Sequence, residues 1–318
     1  MVKNVYQKVL LCDFLFFTSI HVKIYAMKIR ELLEYGRNNL IEKEEPYRLS
    51  RMLLKHLLNI NDSYVLINSD KVISVEVEER FKQCIEDLKQ GMPLQYITNH
   101  QEFMGLDFYV DENVLIPQPD TEILVEQIIE ICRGRSCACP KNKRILDLCT
   151  GSGAIGISLA KYIENAKITM SDISEKALEI AKKNAMSNEV IDKCNFVLSD
   201  MFENIIVGND ALVVPQNKFD IIVSNPPYIK TDIINTLEAE VQNEPILALD
   251  GGKDGLKFYK IIAENAYKYL NEGGVLALEI GYDQKEEVIK LLEQTDKYTD
   301  IYCKKDLGDN DRIVICKK

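Results

Sequence analysis

Asn225, Pro226, Pro227 and Tyr228 close the apolar run "FDIIVS" with an unusual set of groups. Proline has no N–H and drives the residue before it into extended backbone, so two in series make a stiff turn that is poor in donors. Acceptors remain: the side-chain oxygen of Asn225 and the carbonyl of Pro226 can each take one hydrogen of an incoming NH2 group. Tyr228 adds a flat face on which a planar amide or base stacks. Such a nitrogen has a delocalised lone pair and attacks poorly until hydrogen bonds hold it and favour rehybridisation. The stretch therefore predicts a pocket for a planar NH2 group, with Asn225, Pro226 and Tyr228 catalytic and Asn225 to Tyr228 binding the substrate.

A second constellation lies upstream. "DLCTGSGAIG" places Gly151, Gly153 and Gly156 in a GxGxxG pattern, and Asp172 follows Gly153 by nineteen residues. Glycines there let a backbone approach an adenosine-containing ligand, and the acid takes the ribose hydroxyls. Taken alone, the pattern also admits a nicotinamide dinucleotide and an oxidoreductase. Asp147 shifts the balance, because a carboxylate four residues before the first glycine repels a pyrophosphate but accepts from the ammonium group of S-adenosylmethionine. Its competing reading is a cap on the following turn. A sulfonium methyl donor is already activated, so neither a metal nor a covalent nucleophile is required.

These residues need a frame to bring them together. From "KRILDLCT" onward, strand-like and helix-like stretches alternate through "GAIGISLAKYI", "AKITMSDIS", "EKALEIAKKNAMSN", "CNFVLSD", "FDIIVSN", "GLKFYKIIAENAYKYL" and "GGVLALEIG". That alternation predicts an α/β domain, a doubly wound and mostly parallel sheet of Rossmann-like type covered on both faces. Ligands in such sheets sit beyond the carboxyl ends of the strands. Asp147 to Gly153, Asp172, Asp200 and Asn225 are those ends, and they are expected to converge.

Upstream, residues 27–98 carry three amphipathic helical patterns, one starting at Pro46 and one ending at Gly91. Residues 101–116 alternate as a β-hairpin would, giving a linker over 99–117. A further helix follows in "IPQPDTEILVEQIIEIC", with Asp120 or Thr121 expected as its cap, and opens the catalytic domain, 118–318. The first 26 residues look like a signal peptide at first glance, but Asp13 interrupts their apolar run and no small-residue cleavage site follows. A start at Met27 is the expectation, with 1–26 outside the fold.

The formal net charge of −11 sets up a field that repels phosphate backbones, which argues against a nucleic-acid partner. No run is long and apolar enough to suggest a membrane span. Nine scattered cysteines suit a reducing cytosol, and the cluster of Cys132, Cys137 and Cys139 lacks zinc-ligand spacing.

The motifs "GMPLQYI", "EFMGLDFYV", "VLIPQPDTE", "DLCTGSGAIGI", "SNPPYI", "EVQNEPILALDGGKDGLKFY" and "KDLGDNDRIVI" together resemble the protein-(glutamine-N5) methyltransferases that modify peptide-chain release factors, the HemK/PrmC type. The resemblance runs from about Met27 to the C-terminus. It implies a class I S-adenosylmethionine-dependent methyltransferase acting on the glutamine of a Gly-Gly-Gln loop in a release factor; a monomer in the cytoplasm is the accompanying expectation. It further implies that Asp147, Leu148, Cys149, Thr150, Gly151 and Asp172 hold the cofactor and that Met201 lies by the adenine. Gly153, Ile173, Asp200 and Asn225 complete the expected cofactor set. Gln118 departs from the arginine frequent in the family, and Cys149 from a glycine. Two other readings stand beside this one: methylation of an exocyclic amino group on DNA or ribosomal RNA, and NAD-dependent oxidoreduction.

Overall fold

The computed structural model describes residues 26–134, 142–206 and 218–318, in two compact units that part between Gln90 and Gly91. Residues 1–25, Cys137 and Cys139 lie outside the described residues.

The first unit contains α1 (Ile29–Asn39), α2 (Pro46–Leu58), α3 (Asp62–Ile67) and α4 (Val75–Lys89). Pro46 occupies the first turn of α2, where no N–H is needed. The Ser74 hydroxyl accepts from the Val77 amide to start α4. Apolar positions at helical spacing, Leu32 and Leu33 on α1, Leu53 and Leu54 on α2, and Phe81, Ile85 and Leu88 on α4, are buried. The short α3 was not expected; Asn61 caps it by accepting from the Tyr64 amide.

The second unit begins with α5 (Leu94–Thr98) and a hairpin of β1 (Gln101–Phe103) and β2 (Leu106–Phe108). The ladder is shorter than the alternation over 101–116 suggested. Val110, Val114 and Ile116 are buried against Ala177 and Ile180 instead of pairing across a strand, so the segment after Phe108 runs as a packed loop. Phe103 and Phe108 meet edge to face at 6.0 Å inside the main core, which makes the hairpin part of this unit. Next comes α6 (Pro119–Arg133), with Gln118 at its N-cap in place of the expected Asp120 or Thr121. Pro119 is already set for the first helical position, which pushes Asp120 into the first turn, where it pairs with Arg312 at 3.1 Å.

The sheet follows, in chain order β3 (Lys143–Leu148), α7 (Ala154–Tyr162), β4 (Ala166–Asp172), α8 (Glu175–Ser187), β5 (Cys194–Leu198), β6 (Phe219–Ser224), α9 (Ala239–Gln242), α10 (Ile246–Leu249), α11 (Lys257–Tyr269), β7 (Leu270–Glu279), α12 (Lys285–Glu293), β8 (Thr299–Lys305) and β9 (Asp311–Lys317). The strands lie in the order β5-β4-β3-β6-β7-β9-β8; the pairs from β5 to β7 are parallel, and β9 runs antiparallel to both of its neighbours, β7 and β8. One core packs α6 and α7 on one face, the other packs α11 and α12 on the opposite face, so the sheet is doubly wound as expected. β3 is central, flanked by β4 and β6; strand order reverses there and leaves a crevice. The antiparallel β8 and β9 fall outside a simple βαβ alternation. No described helix is long and apolar enough to cross a membrane.

Buried Asn184 on α8 holds three segments at once. Its Oδ1 accepts from the Tyr109 amide at 2.8 Å, while Nδ2 donates to the Tyr109 and Ser152 carbonyls at 2.9 Å each. Alanine would leave buried backbone groups unpaired, at about 1–3 kcal/mol for each such loss. Asn184→Ala is therefore expected to lower the unfolding free energy by at least about 2 kcal/mol in urea denaturation. A loss below about 0.5 kcal/mol, the range of ordinary surface substitutions, would mean that water replaces the amide.

Candidate active site

The carboxyl ends of β3, β4, β5 and β6 surround one cavity of about 390 Å³, within the size range of pre-formed small-ligand sites. From the loop after β3 come Leu148, Cys149, Thr150 and Gly151; after β4, Asp172 and Ile173; after β5, Asp200 and Met201; after β6, Asn225 and Pro227. The expected convergence of strand ends is present.

Four of the expected residues do not reach the wall. Asp147 is fully buried, on the central strand between Met170 and Val223. Its Oδ2 accepts from the Thr150 hydroxyl at 2.6 Å and the Gly156 amide at 2.9 Å. Oδ1 has no hydrogen-bond partner among the described residues. Burial raises its pKa to about 7, against the pull of those two donors. By charge, Asp147 is expected opposite an ammonium group; the pleat instead turns it under the glycine loop, nearer the turn-capping alternative. Gly153 caps α7, and Pro226 is buried behind the wall. Tyr228 also departs from expectation. Its phenol lies among Glu279, Arg312 and Asp120, and burial raises its pKa to about 12; its ring does not line the cavity.

The glycine loop is tightly built. A Cβ on Gly156 would come within 2.8 Å of Met170 Cγ and 2.9 Å of Asp147 Oδ2, so this position admits no side chain without displacing the carboxylate that holds the loop. Asp172 spans the loop's outer edge, Oδ2 accepting from the Gly151 amide and Oδ1 from the Ser174 amide, both at 2.9 Å. Burial pushes its carboxyl above the ordinary value while the Ser174, Gly151 and Ile173 amides pull it back. Each oxygen keeps a lone pair for a further donor. Cys149 adopts a left-handed φ of 61°, which explains why glycine suits this position, and its sulfur lies 3.8 Å from Met201 Sδ. Burial holds the thiol protonated.

Asn225 shows a defined orientation. Its Nδ2 donates to Thr121 Oγ1 at 3.2 Å, which leaves Oδ1 as the end available to the cavity. Thr121 was noted in the sequence only as a possible cap.

Other wall residues went unrecognised. The loop after the hairpin contributes Asn113 and Leu115, and the segment around α10 contributes Pro245, Leu247 and Ala248. Glu244 binds these two walls together, accepting from the Ile116 amide at 2.9 Å. Sequence motifs covered both stretches, but nothing in them indicated that residues 128 positions apart would meet.

Sheet order, glycine loop and strand-end cavity fit an α/β domain that holds an adenosine-containing ligand, and likeness to known proteins makes it an S-adenosylmethionine-dependent methyltransferase. The family described as "Methyltransferase small domain" matches residues 120–243, and the "PrmC N-terminal domain" matches 31–98. Among solved structures, the hMettl16 catalytic domain in complex with MAT2A 3'UTR hairpin 6 superposes with a TM-score of 0.51 at 15% identity, covering 77% of this chain and 82% of that one; the likeness is one of fold. The release factor glutamine methyltransferase of Clostridium acetobutylicum is 38% identical over 292 residues, 91% of this chain and 98% of its own. That of Clostridium botulinum is 39% identical over 270 residues, 85% and 91% of the two chains. The chain belongs to the release factor glutamine methyltransferase family.

Glu244 gives the site a pH signature. Burial raises its pKa from 4.5 to about 7, the Ile116 amide pulling the other way. Between those values the folded state holds a proton that the unfolded chain has released. The stability it contributes is therefore complete below about 4.5 and lost as pH rises through about 7. Glu244→Gln has no such slope. In paired urea melts the stability of wild type relative to Glu244→Gln is expected to fall from about pH 5 to about pH 8, and a constant difference would show that Glu244 is ionised throughout.

Proposed function

We propose that this chain transfers a methyl group from S-adenosylmethionine to the side-chain amide nitrogen, N5, of the glutamine in the Gly-Gly-Gln loop of a peptide-chain release factor. The observation that carries the reading is the hydrogen bond from Asn225 Nδ2 to Thr121 Oγ1, in a residue that lines the cavity together with the glycine loop and Asp172: with its NH2 engaged, Asn225 keeps Oδ1 as an acceptor for a planar NH2.

The residues present fit the cofactor. Asp172, with lone pairs to spare on both oxygens, would take the ribose hydroxyls. Leu148 to Gly151 would line the methionine end, with Ile173, Asp200 and Met201 beside the adenine. Asp147 and Gly153 would act through the loop they hold. When bound, S-adenosylmethionine supplies an activated methyl group on a sulfonium.

The protein's own contribution is placement and acceptors. Asn225 Oδ1 would take one hydrogen of the glutamine NH2, favouring the pyramidal nitrogen that the reaction needs, and Pro226, buried behind the wall, would hold the turn rather than touch the substrate. Pro227 would close the wall without offering a competing N–H. Tyr228, bound on its far side to Arg312, would stiffen the turn. We infer a monomer acting in the cytoplasm, where a folded release factor presents the loop and its remote contacts support the rate.

Methyl transfer from labelled S-adenosylmethionine, offered release factor and nucleic acid in parallel, is expected to label the release factor glutamine alone. Within that assay Asn225→Ala is expected to slow single-turnover methylation about a hundred- to a thousandfold at saturating cofactor and substrate, as for loss of one preorganised polar contact. A rate within about threefold of wild type would overturn the acceptor role. Asp172→Ala is expected to weaken S-adenosylhomocysteine binding by about 1.5–3 kcal/mol, the worth of a charged hydrogen bond, in calorimetry. Unchanged affinity would reassign Asp172 to holding the Gly151 and Ser174 amides.

A further inference from the structure

The two ends of an asparagine amide are nearly the same size and shape, so packing alone does not decide which faces a ligand. Turned one way, Asn225 offers the cavity an acceptor. Rotated by half a turn, it offers an NH2, which confronts a substrate NH2 as donor against donor. Something must fix the choice.

Two buried polar residues adjoin Asn225, Thr121 at the cavity wall and Glu279 behind it. Thr121, in the first turn of α6, is 4% exposed and accepts from Asn225 Nδ2. Glu279, the last residue of β7, is 2% exposed. The pairing of Ser224 with Leu278 sets it beside Asn225 on the neighbouring strand. Its Oε2 is buried with no hydrogen-bond partner among the described residues. Thr121 and Asn225 face the carboxyl group as donors, and the guanidinium of Arg312 from β9 acts on it as a nearby positive charge; Asp120 on α6 adds an opposing charge. The Tyr228 phenol and Tyr259 on α11 complete the surroundings, Tyr259 donating its hydroxyl to the Glu279 carbonyl.

We propose that Glu279 and Thr121 are positioning residues that fix the polarity of Asn225, so that its Oδ1 and not its NH2 faces the cavity. The inference rests on the acceptor role given to Asn225 above. An ionised carboxylate only accepts, so the single hydrogen of the Thr121 hydroxyl points to Glu279. The hydroxyl's remaining lone pairs face Asn225, which therefore turns its NH2 towards Thr121. Rotating Asn225 would set Oδ1 against an oxygen with no hydrogen left to give. In a dry interior such a mismatch is costly, and the chain of bonds holds one direction.

The direction depends on Glu279 being ionised. Burial raises its pKa to about 7, while Thr121 and Arg312 pull it back. A protonated Glu279 can itself donate, and the hydroxyl is then free to donate to Asn225. Turnover is therefore expected to rise as pH rises through about 7.

The test uses the full chain with its release factor and steady-state kinetics across pH. Thr121→Val and Glu279→Gln are each expected to lower kcat about ten- to a hundredfold. Their KM for release factor and their S-adenosylhomocysteine affinity by calorimetry are expected to stay within about threefold of wild type. Thr121→Ser, which keeps the hydroxyl, is expected to recover most of the loss, and Glu279→Gln to lose the rise through neutral pH. If the pair acts through Asn225, adding Glu279→Gln to Asn225→Ala costs nothing further. Wild-type kcat in both Thr121→Val and Glu279→Gln, with Asn225→Ala slow, overturns this inference alone. Asn225→Ala at the wild-type rate overturns the acceptor reading on which it rests. Additive losses in the double variant overturn the coupling, and Thr121→Val carries the decision if Glu279→Gln fails to fold.

Discussion

The site depends on the parallel pairing of β3 with β6. Leu148 lies opposite Ser224, and the Ser224 hydroxyl donates to the Leu148 carbonyl at 2.6 Å. The chain leaves β3 into the glycine loop and β6 into Asn225-Pro226-Pro227. Two adjacent strands that end in register therefore deliver a cofactor loop and an acceptor turn to one cavity without any long side chain reaching across. A one-residue slip would carry Leu148 and Ser224 to opposite faces and separate the two loops. Both flanking strands are fully buried at this point, which makes the register hard to change.

Around that pairing the protein buries acids that water would otherwise solvate. Asp147 lies beneath the glycine loop, Glu244 between the loop walls, and Glu279 behind Asn225. Each is pushed up by burial and drawn back by a few directed donors. Such groups contribute little net stability, because desolvation consumes most of what their hydrogen bonds return. They give direction instead. An acceptor-only group in a dry interior dictates which way its neighbours' hydrogens point, and each of these three stands next to a segment of the cavity wall.

Much of this frame was legible in the sequence, because period-2 and period-3.6 patterns and glycine spacing are local. The strand ends, the glycine loop, Asp172 and Asn225 follow from short windows. What stayed hidden depends on partners far along the chain. Asn184 reads as an ordinary polar residue in a helix, yet its bonds go to Tyr109, 75 residues away. Glu244 meets Ile116 across 128 residues. Asp147 was legible as a carboxylate at a strand end but not as one turned inwards, since that depends on β4 and β6 covering both its sides. Tyr228 was legible as an aromatic ring beside an amide; Arg312, which draws its phenol away from the cavity, lies on the antiparallel β9 that the βαβ alternation did not reveal.

The motif "ALDGGKDGL" has its physical reason in the proline turn. Two prolines remove the N–H groups by which a turn normally fastens itself, so Asn225 to Tyr228 must be held from outside. The segment after α10 supplies that hold. Ile229 donates to the Leu249 carbonyl at 2.9 Å, and Gly251 returns a hydrogen bond to Ile229 at 2.8 Å. A Cβ on Gly251 would lie 2.7 Å from Tyr228 Cα and 2.9 Å from the Pro227 carbonyl, so the backbones touch where any side chain would part them. Gln284 adds a third tie, donating to the Tyr228 carbonyl at 3.0 Å. The acceptor-rich turn is thus stiff for two reasons, its own rings and a glycine backbone pressed against it. Glu244, Pro245 and Leu247 belong to the same stretch, so the segment that grips the turn also closes the cavity opposite it.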